Sequence, residues 1–122
     1  MSFKTWFEQD STDTSYLLSP QGTIPQIGPE KLDQKNSTSN IKIFVSPHGS
    51  YRFVYYLGLT PVSALQVVAN KSHGLASNVF TLPEYRRIGY ARKLAHFAQS
   101  MFKSFEYSQH RSEDGKAWVN GL

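Results

Sequence analysis

The residue types best suited to chemistry are gathered in one stretch, Val79 to Leu94, with the sequence VFTLPEYRRIGYARKL. A β-branched and aromatic run closes at Pro83. An arginine-rich turn containing Gly89 follows, and the next residues continue without glycine or proline. That order predicts a strand, a glycine turn and a helix start. The first N–H groups of a helix have no intrahelical acceptor, and the helix dipole reinforces their field, so such a place suits an anion. Gly89 permits positive φ and a close approach of the backbone. Amides over about 87–92 would face the anion, and the guanidinium groups of Arg86 and Arg87 match phosphate geometry.

No other group of side chains is comparable. His48, His73, His96 and His110 are scattered at spacings that suggest no metal site. No Ser–His–Asp order stands out. The chain has no cysteine, which excludes disulfides, thiolate metal sites and a cysteine nucleophile. Tyr51, Phe53, Tyr55 and Tyr56 resemble a base-stacking series only in composition. Without an RNP-like motif they read as core.

The elements that must position the stretch follow from composition and periodicity. A length of 122 residues, 39% hydrophobic and 14% aromatic, predicts one globular domain spanning 1–122. The net charge of +4 favours anionic partners or merely a basic surface. No apolar run has membrane-spanning length, and the opening MSFKTWFEQD lacks the basic-then-apolar order of a signal peptide. An intracellular, cytoplasmic protein is the expectation.

Residues 1–40 are poorly legible. Trp6 and Phe7 suit a short helix or an edge segment, Tyr16-Leu17-Leu18 a short strand, and Pro29-Glu30-Lys31-Leu32 one helical turn with proline at its first position. Pro20, Pro25 and Pro29 break any long helix, and Gln34–Asn40 reads as exposed loop. Strands are expected at Ile41–Val45, Tyr51–Gly58, Val62–Ala69 and Leu75–Leu82, with turns at Pro47–Ser50, Thr60-Pro61 and Asn70–Gly74. The last three strands are apolar on both faces and joined by short turns. They predict an antiparallel meander in a sheet covered on both sides. At about 100° per residue, Leu94, Phe97, Ala98, Met101, Phe102 and Phe105 share an arc of roughly 140°. An amphipathic helix of about four turns, 89–105, follows, with His96 on its solvent side. Glu106-Tyr107-Ser108 suits a brief fifth strand. Ser112 or Asp114 would cap a last turn, and Trp118 would dock on the core.

The order Val79, Pro83, Tyr85, Arg86, Gly89, Ala91, Leu94 resembles the acyl-CoA-binding motif of the GNAT superfamily of N-acetyltransferases, a strand followed by [Q/R]-x-x-G-x-[G/A] at a helix start. The preceding meander resembles that family's central strands, so the resemblance covers about 51–105. It implies a reduced GNAT-like α+β fold, mostly antiparallel, with the long helix after the fourth strand. Acetyl-CoA, or CoA, is the implied cofactor. The backbone of Val79, Thr81 and Leu82 would pair with the pantetheine arm where the fourth strand splays from its neighbour. Arg86, Arg87, Ile88, Gly89, Tyr90, Ala91 and Arg92 would hold the pyrophosphate, largely through main chain. The implied reaction is direct attack of an amine acceptor, a small molecule or a protein, on the thioester, with a base, an acid and a backbone N–H polarising the carbonyl.

Three departures from the family pattern bear on catalysis. Leu75–Leu82 contains Ser77 and Asn78 but no carboxylate to act as base. The two helices expected between the first and second strands are not readable in 19–40. After the long helix only a short tail remains. That tail, from Tyr107-Ser108 through Arg111, Gly115, Ala117 and Trp118, resembles the ending of small phage-encoded GNAT-like proteins, which implies a host-cytoplasmic setting and makes Tyr107, Ser108 and His110 the nearest groups for proton transfer. The alternative is a non-catalytic GNAT-like interaction protein, such as a phage accessory factor binding a host protein or nucleic acid. For the enzyme, neither nucleic acid nor membrane is an expected partner, and no metal is expected. Exposed strand edges make a homodimer conceivable.

Overall fold

The computed structural model describes Phe3, Trp6 and residues 14–108. One mixed sheet organises them. Its strands are β1 (Lys31–Leu32), β2 (Ile41–Val45), β3 (Ser50–Leu57), β4 (Thr60–Asn70), β5 (His73–Thr81) and β6 (Ser104–Tyr107), and they lie side by side in chain order. Every pairing from β1 to β5 is antiparallel. Only β5 and β6 run parallel. The crossover between them carries the helix α1 (Tyr90–Ser100), as a parallel connection requires. The result is the mixed α+β class expected, and the strand expected as fourth is β5 because the two-residue β1 precedes it.

Alternation sorts the side chains onto two covered faces. On one, Ile41, Ile43, Phe53, Leu65, Val67, Ala76 and Val79 meet Ala91, Leu94, Ala95 and Ala98 of α1, with Trp6 fully buried among them. On the other, Phe44, Val54 and Ala64 meet Leu17, Ile24 and Ile27 from the amino-terminal segment. His96 is exposed, as the helical angles require.

The second face is held by a pair that pattern reading did not find. Arg52 is flanked by strong β formers, yet its side chain is buried and forms a bidentate ion pair with Glu30, Nε to Oε2 at 3.0 Å and Nη2 to Oε1 at 2.8 Å. Its Nη1 donates to the carbonyls of Leu17 and Ser19. The Glu30 carboxylate also accepts from the Gly22 amide. One guanidinium thus fixes three points of the segment between 17 and 30.

Several local expectations change. Ser15–Leu18 is a 3-10 turn, not a strand. Its bonds are local, Leu17 N–H to the Thr14 carbonyl and Ser19 N–H to that of Tyr16. Residues 29–32 form no helical turn: Glu30 is drawn to Arg52, while Lys31 and Leu32 pair with Val45 and Phe44. Thr60 and Pro61 already belong to β4, and the chain reverses one step earlier at Gly58, where φ is +63°. The helix stops at Ser100 rather than Phe105. Phe102 and Phe105 still pack on the helix-face core, but Phe105 does so from β6. An apolar arc does not distinguish one long helix from a helix followed by a strand. The brief fifth strand is present as β6, set two residues earlier. Ser112, Asp114 and Trp118 lie outside the described residues.

Candidate functional site

The geometry of interest begins in the middle of β5. Gln66 pairs with Asn78 and Val67 with Ala76, so Ser77 is an extra residue, a β-bulge. A bulge inverts the alternation of the strand beyond it. Before it, the Ala76 carbonyl points outward and accepts the Ser108 amide, at the end of the β6 ladder. Beyond it, the Leu82 amide points inward to the Val62 carbonyl. The backbone groups of Val79 and Thr81 therefore face the outer edge. The β6 pairing ends at Ala76 opposite Tyr107. From Ser77 to Thr81 the outer edge has no strand partner among the described residues.

Two side chains sit on that edge. The Thr14 hydroxyl donates to the Val79 carbonyl at 2.6 Å, and Arg86 Nε donates to the Thr81 carbonyl at 2.9 Å. The side chains of Val79 and Thr81 point into the protein. Both are buried, and the Thr81 hydroxyl is 2.7 Å from that of Ser63. Only main chain from these two residues is offered outward. Leu82 is half-buried and follows the strand.

The chain then turns through Pro83–Tyr85, a 3-10 turn. Two left-handed residues follow, Arg87 at φ +66° and Gly89 at φ +107°. Gly89 is the residue before the first turn of α1, and a φ that large is costly for any residue with a Cβ. No side chain caps the helix start and no acid lies in its first turn. The first intrahelical bond is Lys93 N–H to the Gly89 carbonyl, so the amides of Tyr90, Ala91 and Arg92 are the ones left for an anion. The flanking side chains are cationic and exposed at Arg86, Arg87 and Arg92, with Ile88 58% exposed among them. Arg86 differs from expectation in that its Nε is committed to Thr81 and its guanidinium lies 5.7 Å from the Phe80 ring centroid. Tyr90 is half-buried, packed between Tyr55 and Tyr85, with Lys93 over two of these rings. Ala91 is buried in the helix-face core.

Of the tail residues, Tyr107 occupies the last rung of β6. Its ring packs tilted against Trp6 and Phe3 and edge-on to Phe105, and its hydroxyl accepts from Gln99 Nε2 at 3.0 Å. Burial pushes its phenol above the ordinary value of 10.0, and the Gln99 bond opposes that rise. Ser108 contributes its amide to the Ala76 carbonyl. His110 lies outside the described residues. Among the described residues no three His, Cys, Asp or Glu side chains gather to hold a metal.

Sequence reasoning found the helix start and missed the edge's occupants. Neither Thr14 nor Ser77 carries a local signal, since each acts through the register of a strand distant in sequence. No described helix is long and apolar enough to cross a membrane.

No family model matches the chain, and no curated protein matches it. Solved structures similar to it include a GNAT-family acetyltransferase from Streptococcus pneumoniae TIGR4, 19% identical over 61% of this chain and 59% of that one, with a TM-score of 0.45. A possible acetyltransferase from Clostridium difficile 630 is 16% identical over 63% and 59%, with a TM-score of 0.47. An aminoglycoside N-acetyltransferase, AAC(6')-Iy in complex with CoA, is 11% identical over 60% and 65%, with a TM-score of 0.43. The chain spans about three fifths of the length of the first two structures. The organisms named are bacteria, and nothing in these neighbours supports a phage origin.

Proposed function

We propose that the outer edge of β5 and the start of α1 form one continuous site for an acyl-CoA, and that the protein transfers the acetyl group of acetyl-CoA to an amine. The observation that carries this reading is the contiguity of three features. An outward main-chain edge, set by the Ser77 bulge and without a strand partner among the described residues, runs into a left-handed turn, which opens on an uncapped helix start among arginines. An amide-rich arm ending in a diphosphate needs this sequence of groups, a strand edge for the arm and then free N–H donors for the anion. Tyr90, Ala91 and Arg92 amides would hold the diphosphate, with Arg87, Arg92 and the free Nη groups of Arg86 adding charge. Val79 and Thr81 main chain would pair with the arm.

The bound thioester supplies the activated acyl group. An attacking amine forms the C–N bond as the C–S bond breaks, and the departing thiolate takes a proton. Tyr107 is the suitable donor. It stands where β6 leaves β5, and a tyrosine phenol is protonated at neutral pH without any shift. No carboxylate lies on β5, so that strand supplies no base for the amine. That same absence favours the second reading, a protein that binds CoA or a partner without chemistry. Binding without release of CoA across a panel of amines would select it.

The test is thermal stability with acetyl-CoA. A ligand at about 100 times its dissociation constant adds about 2.7 kcal/mol, a Tm rise of several degrees for a domain of this size. Nothing lies within 4 Å of a Cβ placed on Gly89, but at φ +107° any side chain is strained, so Gly89→Ala carries that strain as the control and Gly89→Glu adds a carboxylate before the amides. It should remove the rise while the variant stays folded. No rise in the parent, or an equal rise in Gly89→Glu, overturns the reading.

A further inference from the structure

Described residues before β1 lie on both faces of the sheet beside the site just described. Phe3 and Trp6 pack on the helix face, Trp6 wholly buried with its ring 5.2 Å from that of Tyr107. Leu17 is buried on the opposite face with Val54 and Ala64. Between these anchors in the sequence, Thr14 lies on the outer edge of β5 beyond the last rung of β6, where its buried bond to the Val79 carbonyl holds it. Arg86 takes the next outward carbonyl, that of Thr81. Both acceptors on this edge are thereby in use inside the protein.

We infer that Thr14 and Trp6 form a built-in competitor for the acyl-CoA site, so that the extended arm of the ligand binds only as the Thr14 hydroxyl leaves Val79 and Trp6 leaves Tyr107. This deepens the reading above and rests on it. An arm that adds to a strand edge uses its N–H groups as well as its carbonyls, and at Val79 the acceptor for such an N–H is the oxygen that Thr14 holds. A site occupied by its own chain binds with an apparent Kd raised by the inverse of the open fraction. Weakening the competitor therefore tightens the ligand.

Two measurements test this in the whole 122-residue chain. Thr14→Val keeps the shape of the side chain and deletes the hydroxyl. The usual net worth of one intramolecular hydrogen bond predicts a Kd for acetyl-CoA about two- to tenfold lower than the parent's by calorimetry. In Trp118→Phe, Trp6 is the single tryptophan, and its emission should move to longer wavelength as acetyl-CoA saturates the site. Equal Kd values for the parent and Thr14→Val, together with an unmoved Trp6 emission, overturn the competitor and leave the acyl-CoA site standing. Acetyl-CoA binding that Gly89→Glu does not weaken overturns the site itself, and the competitor with it.

Discussion

Replacing Arg52 by methionine removes the cation that ties the amino-terminal segment to the sheet. The side chains of Arg52 and Glu30 are 1% and 0% exposed, so the carboxylate left behind cannot be reached by water without opening the second layer. It would keep one donor, the Gly22 amide at 3.0 Å. The carbonyls of Leu17 and Ser19 would also lose their donor. Breaking a buried pair by deleting one partner costs about 3–5 kcal/mol, and stranded carbonyls add to it. Because relaxation of the segment relieves both at once, about 4–5 kcal/mol is expected. A domain of this kind has roughly 5–15 kcal/mol in total. Urea unfolding followed by circular dichroism at neutral pH measures the loss. The double variant Arg52→Met/Glu30→Leu is the control. It removes the orphaned charge but not the orphaned carbonyls, so it should lie only about 1–2 kcal/mol below the parent. A single-variant loss under about 1 kcal/mol, or a double variant less stable than the single, would refute the role given to this pair.

Gly74→Ala should lower Tm by several degrees in a calorimetric scan, at an overpacking cost of about 1–3 kcal/mol. A Cβ there would lie 2.9 Å from the Phe102 ring and 3.0 Å from that of Phe105, both held in the core. Alkaline pH should destabilise the fold. Burial raises the phenols of Tyr107 and Tyr56, the latter opposed by Arg52 and reinforced by Glu30. The folded state then holds these protons more tightly than the unfolded chain, so their contribution is intact below the ordinary tyrosine value and is lost as pH rises through the folded one. Tm measured from about pH 8 to 11 should fall, and Tyr107→Phe should flatten part of that fall.

The meander and the helix start were legible because their signals are local. Ile41, Ile43 and Val45 alternate, strands β3 to β5 are apolar on both faces, and Arg86, Gly89 and Ala91 sit at fixed offsets beyond a strand. The second layer was illegible because it rests on one long-range pair. Nothing around Glu30 marks it as the partner of Arg52, and the prolines that exclude a helix from 19–40 do not say what replaces it. The end of α1 was misjudged for a different reason. Phe102 and Phe105 keep their apolar side toward the core after the helix has stopped, so the periodicity ran past the element that produced it. In the site, the motif predicted the free amides but not that Thr14 and Arg86 would take two carbonyls of the adjoining edge.

The far end of the sheet gives this edge a further meaning. Along β2 the outward amides and carbonyls of Ile41 and Ile43 are all taken by the loop before the strand, through Asp33, Ser37 and Thr38, and β1 beyond them is only two residues long. At the other end, the main chain from Ser77 to Thr81 has no strand partner among the described residues and carries only the side-chain bonds of Thr14 and Arg86. A second molecule that joined there by strand addition would use these groups. Dimerisation of that kind and ligand binding would then draw on the same few backbone groups, so each would be measured as an inhibitor of the other.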